Sequence, residues 1–542
     1  MSFLLSYPDA VQFHRNGLWT DAQSTPEGFG VEKTLLTCAE NSHGLVLTLR
    51  SDCPVSYIKV RWERPLPEKC RLFSDALERA YGDLGWHTLD PFRQMMWYCL
   101  ATNGEVTEGF GVMVCPAAIS FWQADQSGLT LWLDVRCGGN PVELGDRALE
   151  VCTVVSAAAA PDESPFRFAK RFCGLLSPNP LRPSYHLYGA NTWLYTYGYH
   201  YSDICRESVI NDSKFYSDLA GSCENRPALV LDDGWNEHCP SFGNAPGGPH
   251  YRGNERFPHM DTLAEAVRKE GCRPGIWMRL LMTFQEGLAP EMLLQRPGSE
   301  RVLDPSHPES RRIIREDVAR VCGWGFEILK HDFSTYELFG KMGLQMDWQF
   351  TAPGWSFYDK SRTTAEIVTD FYRTVKEGAG DTAVIGCNCI GHLGAGLMEY
   401  NRIGDDTSSY VWDRTRKYGI NSLAFRLCQH ETFFEVDADC VGHREEYVPW
   451  EYTAQWMDLL ARSNTPLLLS VDPAELSSSD RKAAVRAAFE RNRSRQDCLE
   501  PVDWIYTTCP EQWLSNGDPI RYRFSLPTGI RHFGSLTQFD MN

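Results

Sequence analysis

The chain has 542 residues, 43% of them hydrophobic and 23% charged, with a formal net charge of −18. That length allows two or three domains with large buried cores. The negative charge argues against nucleic acid or an anionic membrane as partner, because both select a basic surface, and it fits a neutral substrate better than an anionic one.

The N-terminal MSFLLSYPDAVQFHRNG lacks the positive n-region and long apolar h-region of a signal peptide. No apolar run approaches the roughly 18 residues of a membrane span. The 19 cysteines are odd in number and scattered, and without an export signal they are expected to be reduced thiols in a cytoplasmic protein. Cys387-Asn388-Cys389 is C-x-C rather than C-x-x-C, and His238, Cys239, His250 and His259 share one loop at spacings that match no metal motif. No metal site is expected.

Residues 1–180 alternate apolar and polar positions over short stretches such as 44–49 and 129–134, with turn residues at 138–141 between them. This pattern predicts an N-terminal antiparallel β-sandwich domain, ending in a linker at 176–180. Residues 181–472 alternate apolar runs with helical stretches. Strands are expected at 185–193, 227–232, 273–279, 326–331, 382–387, 399–404, 422–428 and 465–470, and helices at 260–269, 310–322 and 364–377. Eight such units predict a central (β/α)8 TIM barrel. Residues 473–542 should hold a helix over 479–491 and a small C-terminal β-domain with strands at 504–507 and 520–524. The fold class is therefore α/β.

Chemistry in such a barrel sits at the C-terminal ends of the strands, and the unusual polar residues fall there. The second strand runs into Asp232, Asp233, Gly234 and Trp235. Adjacent acids at a buried strand end need partners; sugar hydroxyls can supply them while an aromatic face covers the ring. An Asx-turn beside a core Trp would read the same way. The fourth strand ends Lys330-His331-Asp332. Alternation points Lys330 and Asp332 the same way, and the cation keeps the acid ionised as a nucleophile requires. A structural ion pair is the plain alternative. The sixth strand leads to Arg402, Asp405 and Asp406. Glycosidases need two carboxyl groups across one bond, one ionised and one protonated. The first strand continues into an aromatic cluster, 191–200, which serves equally as a sugar-stacking wall or a hydrophobic cap.

These segments resemble the family 36 glycoside hydrolases, closest to their compact bacterial α-galactosidases, with family 27 as a more distant relative. Arg402-Ile403-Gly404-Asp405-Asp406-Thr407 is similar to the family's R-I-G-x-D-T, Lys330-His331-Asp332-Phe333 to its K-x-D-F, and Asp232-Asp233-Gly234-Trp235 to its D-D-G-[WY]. Weaker matches lie at 254–258, 273–277, 303–305, 385–387 and 463–472. The resemblance implies that Asp332 is the nucleophile and Asp406 the acid/base, four residues after the Arg, with Asp405 as rival. It implies that Asp232 and Asp233 hold O4 and O6 of galactose, Lys330 O3, and Arg402 with Cys387 the region of O2. Trp193 and Trp235 would be apolar walls. Three positions depart from the family: Ala190 follows Gly189, Arg279 stands near the third strand end and within reach of the pocket, and Asn388-Cys389-Ile390 follows Cys387. The loop 244–253 reads as a lid or a plain connector.

The expected activity is a retaining α-galactosidase acting on terminal α-galactosides or related oligosaccharides. It needs no metal or organic cofactor and its carboxyl groups would stand roughly 5–5.5 Å apart. An α-N-acetylgalactosaminidase and a raffinose-type α-galactosyltransferase are alternatives on the same fold. A metal-dependent barrel lyase or isomerase and a non-catalytic sugar-binding protein are alternatives of other classes. Oligomeric state has no signature here.

Overall fold

The computed structural model describes residues 4–193, 204–238 and 247–525. The fold is α/β, with a large antiparallel sheet, a parallel sheet of nine strands and a short antiparallel sheet of three.

The expected alternation is seen in the large sheet: Leu45–Ser51 buries Leu45, Leu47 and Leu49, and Leu129–Asp134 buries Leu129, Leu131 and Leu133. Its 14 strands are hydrogen-bonded into one continuous sheet. The strand Met95–Thr102 explains the continuity. Met95 and Met96 pair with the strand Ile119–Ala124, whereas residues 98–102 pair with Thr107–Val112. Trp97 between them has φ 61, so the backbone bulges there and the strand changes neighbour.

A helix over Pro165–Leu176 closes this part of the chain, where the sequence reading had only strands. Ser164 caps it by accepting from Arg167 N, and Phe166, Phe168, Phe172 and Leu176 are buried.

The parallel sheet runs in the order Glu435–Asp437, Tyr400–Arg402, Ala383–Gly386, Ile328–Asp332, Arg273–Arg279, Ala228–Leu231, Tyr188–Asn191, Leu467–Ser470, Val441–Gly442. Its two outermost strands belong to one segment, 435–442, interrupted at Asp439 (φ 73). The seventh strand, expected at 422–428, is instead helical: Ser422–Arg426 is α-helix and Leu427–Gln429 a 3-10 turn. An apolar run of that length fits either state, and here it continues the helical stretch Thr415–Asn421.

Helices over Leu263–Lys269, Pro308–Gly323 and Thr364–Ala379 lie close to their expected ranges. Thr363 and Glu366 form a capping box on the last of these. Near the C-terminus the helix Ser479–Ser494 is followed by strands Leu499–Pro501, Gln512–Ser515 and Asp518–Arg521. Residues 504–507, expected as a strand, form a turn packed through Trp504 against Phe73, Trp86 and Phe425.

One N-terminal segment is built into the edge of the parallel sheet. Ala80 N donates to Ile403 O at 2.8 Å and Asp405 N donates to Ala80 O at 3.1 Å, just beyond the strand Tyr400–Arg402. Arg426 fastens the same segment from below. Its guanidinium donates to Asp75 Oδ1 (2.6 Å), Ile403 O (2.8 Å), Ala76 O (3.2 Å) and Glu78 O (2.5 Å). Among the described residues no helix is long and apolar enough to cross a membrane.

Candidate active site

Parallel strands share one direction, so their C-terminal ends share one edge of the sheet, and register pairs Arg279 with Asp332 and Arg402 with Asp437 there. On that edge the polar residues singled out from sequence make a connected network.

Lys330 Nζ donates to Asp232 Oδ2 at 2.7 Å, and both side chains are buried. Asn191 Nδ2 donates to the same oxygen at 2.8 Å, so three parallel strands meet on one carboxylate. Burial alone would push the Lys330 ammonium down, but Asp232 and Asp332 hold it well above the ordinary lysine value. Asp233 is half-buried beside this pair.

Asp332 receives a donor on each oxygen. Phe333 N donates to Oδ1 at 2.7 Å and Trp277 Nε1 to Oδ2 at 3.1 Å. Burial works against its charge, yet Lys330, Arg79 and the Trp277 N–H outweigh it and keep the carboxyl below its ordinary range. Asp332 is thus an ionised carboxylate at the edge of the sheet. Phe333, with φ 64, begins the next helix immediately beyond it.

Asp406 and Asp405 differ in setting. Trp193 Nε1 donates to Asp406 Oδ2 at 3.2 Å and Arg402 Nη2 donates to Oδ1 at 3.1 Å. The Asp406 side chain keeps 25% exposure against 9% for Asp405. Burial opposes ionisation of Asp406, but Arg402, Arg79, Lys330 and Arg414 hold it well below the carboxylate range. Asp405 turns toward Arg79 (3.3 Å) and Arg414 (3.6 Å), and burial together with its neighbour Asp406 pushes its carboxyl up.

Arg402 Nη1 pairs with Asp439 Oδ1 at 3.0 Å, and the other oxygen of Asp439 accepts from Thr407 N and Oγ1. Cys387 Sγ lies 3.9 Å from Arg402 Nη1 and 4.0 Å from Arg79 Nη1. Burial and Asp332 raise this thiol well above its ordinary value, so it is neutral.

Two sequence expectations need correction. Trp235 is not an open wall: it is 1% exposed, packs on His250 and Trp324, and donates to Trp277 O at 2.9 Å. Arg279 is 4% exposed and held behind the site, donating to Glu337 Oε1 at 2.6 Å with its guanidinium over the Phe333 ring. Trp193 is half-buried with its indole N–H directed at Asp406. The remainder of the aromatic cluster, 194–200, lies outside the described residues, as do 244–246 of the expected lid. In the histidine-bearing loop, His250 is buried against Asp317 (Nδ1 to Oδ2, 2.5 Å) and His238 stacks on Phe284. Among the described residues no group of three or more potential ligands could hold a metal ion.

The sequence reading gave no role to Arg79, Trp277, Asn191 or Asp439. Trp277 lies in a quoted segment, and the side-chain alternation that links Lys330 to Asp332 could have aimed it. Arg79 sits in the N-terminal part of the chain and carries no local signal.

No family model matches the chain. Solved structures do resemble it. TtGalA, an alpha-galactosidase from Thermus thermophilus in complex with p-nitrophenyl alpha-D-galactopyranoside, is 16% identical with a TM-score of 0.61, over 95% of this chain and 99% of that one. A GH36 alpha-galactosidase AgaA variant from Geobacillus stearothermophilus in complex with stachyose is 13% identical with a TM-score of 0.60, over 94% and 80%. The galactosidase domain of alpha-galactosidase-sucrose kinase, AgaSK, is 15% identical with a TM-score of 0.57, over 93% and 78%. The chain therefore has a fold shared with family 36 α-galactosidases.

Proposed function

We propose that the protein is a retaining glycoside hydrolase that removes terminal α-linked galactose, with Asp332 as nucleophile and Asp406 as acid/base. The observation that carries this reading is that both carboxylates stand on one edge of the parallel sheet, where Arg402 Nη2 donates to Asp406 at 3.1 Å and Phe333 N donates to Asp332 at 2.7 Å. Each also accepts an indole N–H, from Trp277 or Trp193. The galactoside and stachyose bound by the similar enzymes support the substrate class.

In this mechanism Asp332 attacks the anomeric carbon through an oxocarbenium-like transition state while Asp406 gives its proton to the leaving oxygen. Asp406 is ionised in the open site. Substrate closes over its exposed edge and expels water, which raises its pKa toward that of a general acid. Esterification of Asp332 then removes a negative charge near Asp406, lowers its pKa again, and suits it to deprotonate the hydrolytic water. Asp232, Asp233 and Lys330 hold sugar hydroxyls, with Arg402 and the neutral Cys387 thiol near O2. No step calls for a metal. The same reading takes the parallel sheet as a closed (β/α)8 barrel over 181–472, between an N-terminal β-domain over 1–180 and a C-terminal one over 473–542.

The test is a panel of nitrophenyl α-glycosides, including α-galactoside, α-N-acetylgalactosaminide and α-glucoside, with Asp332→Ala as control. Release from the α-galactoside with retention, abolished in the control, is expected. No release from any member, or equal release by the control, sinks the proposal.

A further inference from the structure

Arg79 has a placement that the reaction above does not require. It lies far from the parallel strands in sequence, yet it is 5% exposed and reaches the acid pair at their edge. Nη2 stands 3.3 Å from Asp405 Oδ1 and 3.2 Å from the Tyr81 hydroxyl, and Nη1 stands 3.9 Å from Asp406 Oδ1.

The residues on either side of Arg79 are fixed individually. Glu78 Oε1 accepts from the Tyr81 hydroxyl (2.8 Å) and Gly343 N (3.0 Å), and its Oε2 accepts from Asn388 Nδ2 (2.8 Å). Ala80 is bridged to the backbone on both sides of Gly404. A planar guanidinium held this way presents its two Nη groups to two carboxylates in a fixed fork, a geometry that a rotatable lysine ammonium does not fix.

We propose that Arg79 is a positioning residue for the acid pair: its fork draws Asp405 to one side and leaves Asp406 as the carboxylate directed at the reacting bond. The inference rests on the glycosidase reading. It assigns the choice between two adjacent acids to a residue of the N-terminal region, so the catalytic edge is incomplete without that region.

Other charges also face the pair. Asp406 meets Arg402 of its own strand, Lys330 of the next strand but one, Arg414 of the following helix, and the carboxylates Asp405 and Asp332. Asp332 meets Lys330 and Asp406, with Glu337, His331, Cys387 and Cys389 near it. Loss of the Arg79 charge raises the pKa of any carboxylate that feels it. The pH profile of kcat reports the substrate-bound enzyme, where the acid limb follows Asp332 losing its proton and the alkaline limb Asp406 losing its own, so both limbs move to higher pH.

The experiment compares wild type, Arg79→Gln and Arg79→Lys on p-nitrophenyl α-galactoside across pH, with a crystal structure of each variant. Arg79→Gln should lower kcat/KM by about tenfold or more and move both limbs up by about half a unit or more. Arg79→Lys should leave the limbs near wild type yet lower kcat, with Asp405 displaced. A loss of activity with unmoved limbs in Arg79→Gln marks a merely structural role and overturns the proposal, as does wild-type kcat in Arg79→Lys. Should Arg79→Gln fail to fold, the kcat of Arg79→Lys and its Asp405 position decide alone. Inactivity of the wild type on the substrate refutes the glycosidase reading instead, and the variant structures still show whether Asp405 stays in place without the fork.

Discussion

The indole N–H of Trp277 donates to Oδ2 of Asp332 at 3.1 Å, from the strand immediately beside the one that Asp332 ends. Trp193 does the same for Asp406 from the first parallel strand's end. Each of the two carboxyls is thus held by a rigid, neutral donor as well as by cations. A cation sets the charge of a carboxylate, whereas an indole N–H sets which oxygen points where.

If Asp332 is the nucleophile as proposed, removal of the Trp277 donor should weaken it without unpairing a charge. Trp277→Phe keeps the ring and loses the N–H. A hydrogen bond to a charged group is worth about 1.5–3 kcal/mol, so kcat/KM should fall roughly 10- to 100-fold. The acid limb of the pH profile should rise, because the N–H lowers the Asp332 pKa. An unmoved limb would show that the contact does not govern the carboxylate.

Much of this edge was legible in the sequence because strand geometry is periodic. An acid two residues from a lysine at a strand end must share its face, and Lys330 and Asp332 do reach one network. The motif segments 230–235, 328–333 and 400–407 all converge on one sheet edge. Periodicity could not separate the run at 422–428 from a strand, since Leu423, Phe425 and Leu427 alternate like one and are buried in either state. It also could not tell an aromatic that lines a pocket from one that fills the core, and Trp235 proved to be the second kind. Arg79 was hidden for another reason. Contacts between distant parts of the chain leave no local pattern, and Cys387, Asp405 and Asp406, which it reaches, lie more than three hundred residues away.

The Lys330–Asp232 pair should be essential to the fold as well as to the site. Both members are nearly buried, at 7% and 4% side-chain exposure, so removing one leaves the other charge uncompensated. Lys330→Met should therefore cost about 3–5 kcal/mol of stability, measured by urea unfolding. The double variant Lys330→Met/Asp232→Asn should regain part of that loss, since the orphaned charge is gone. A double variant less stable than the single one would contradict this account.

Stability should fall between neutral pH and about pH 4 through buried histidines. Burial holds His331 and His430 down to about 4, and His392, stacked on Trp97, to about 3. Above the ordinary histidine value neither folded nor unfolded chain is protonated, so these groups contribute no pH dependence. Below it the unfolded chain takes protons that the folded chain refuses, and each such histidine costs about 1.4 kcal/mol per pH unit until its folded pKa is reached. Chemical denaturation from pH 7 to 4 should show this slope, and His331→Gln should flatten it by about one proton's worth. A slope unchanged in that variant would mean that His331 is protonated in the folded protein.

The adjacent acids can be told apart by leaving group. If Asp406 supplies the proton, Asp406→Ala should lose about 10²- to 10⁴-fold on an oligosaccharide, whose departing hydroxyl needs protonation. On a nitrophenyl galactoside the glycosylation step should suffer far less, because nitrophenolate leaves unaided. Asp405→Ala removes the partner of Arg79 and Arg414, so it should depress both substrates alike. Added azide should restore turnover in Asp406→Ala by intercepting the glycosyl-enzyme in place of activated water, and should do nothing for Asp405→Ala. The reverse pattern, leaving-group dependence and azide rescue in Asp405→Ala alone, would exchange the two roles and make the less exposed carboxyl, the one that burial pushes up, the proton donor.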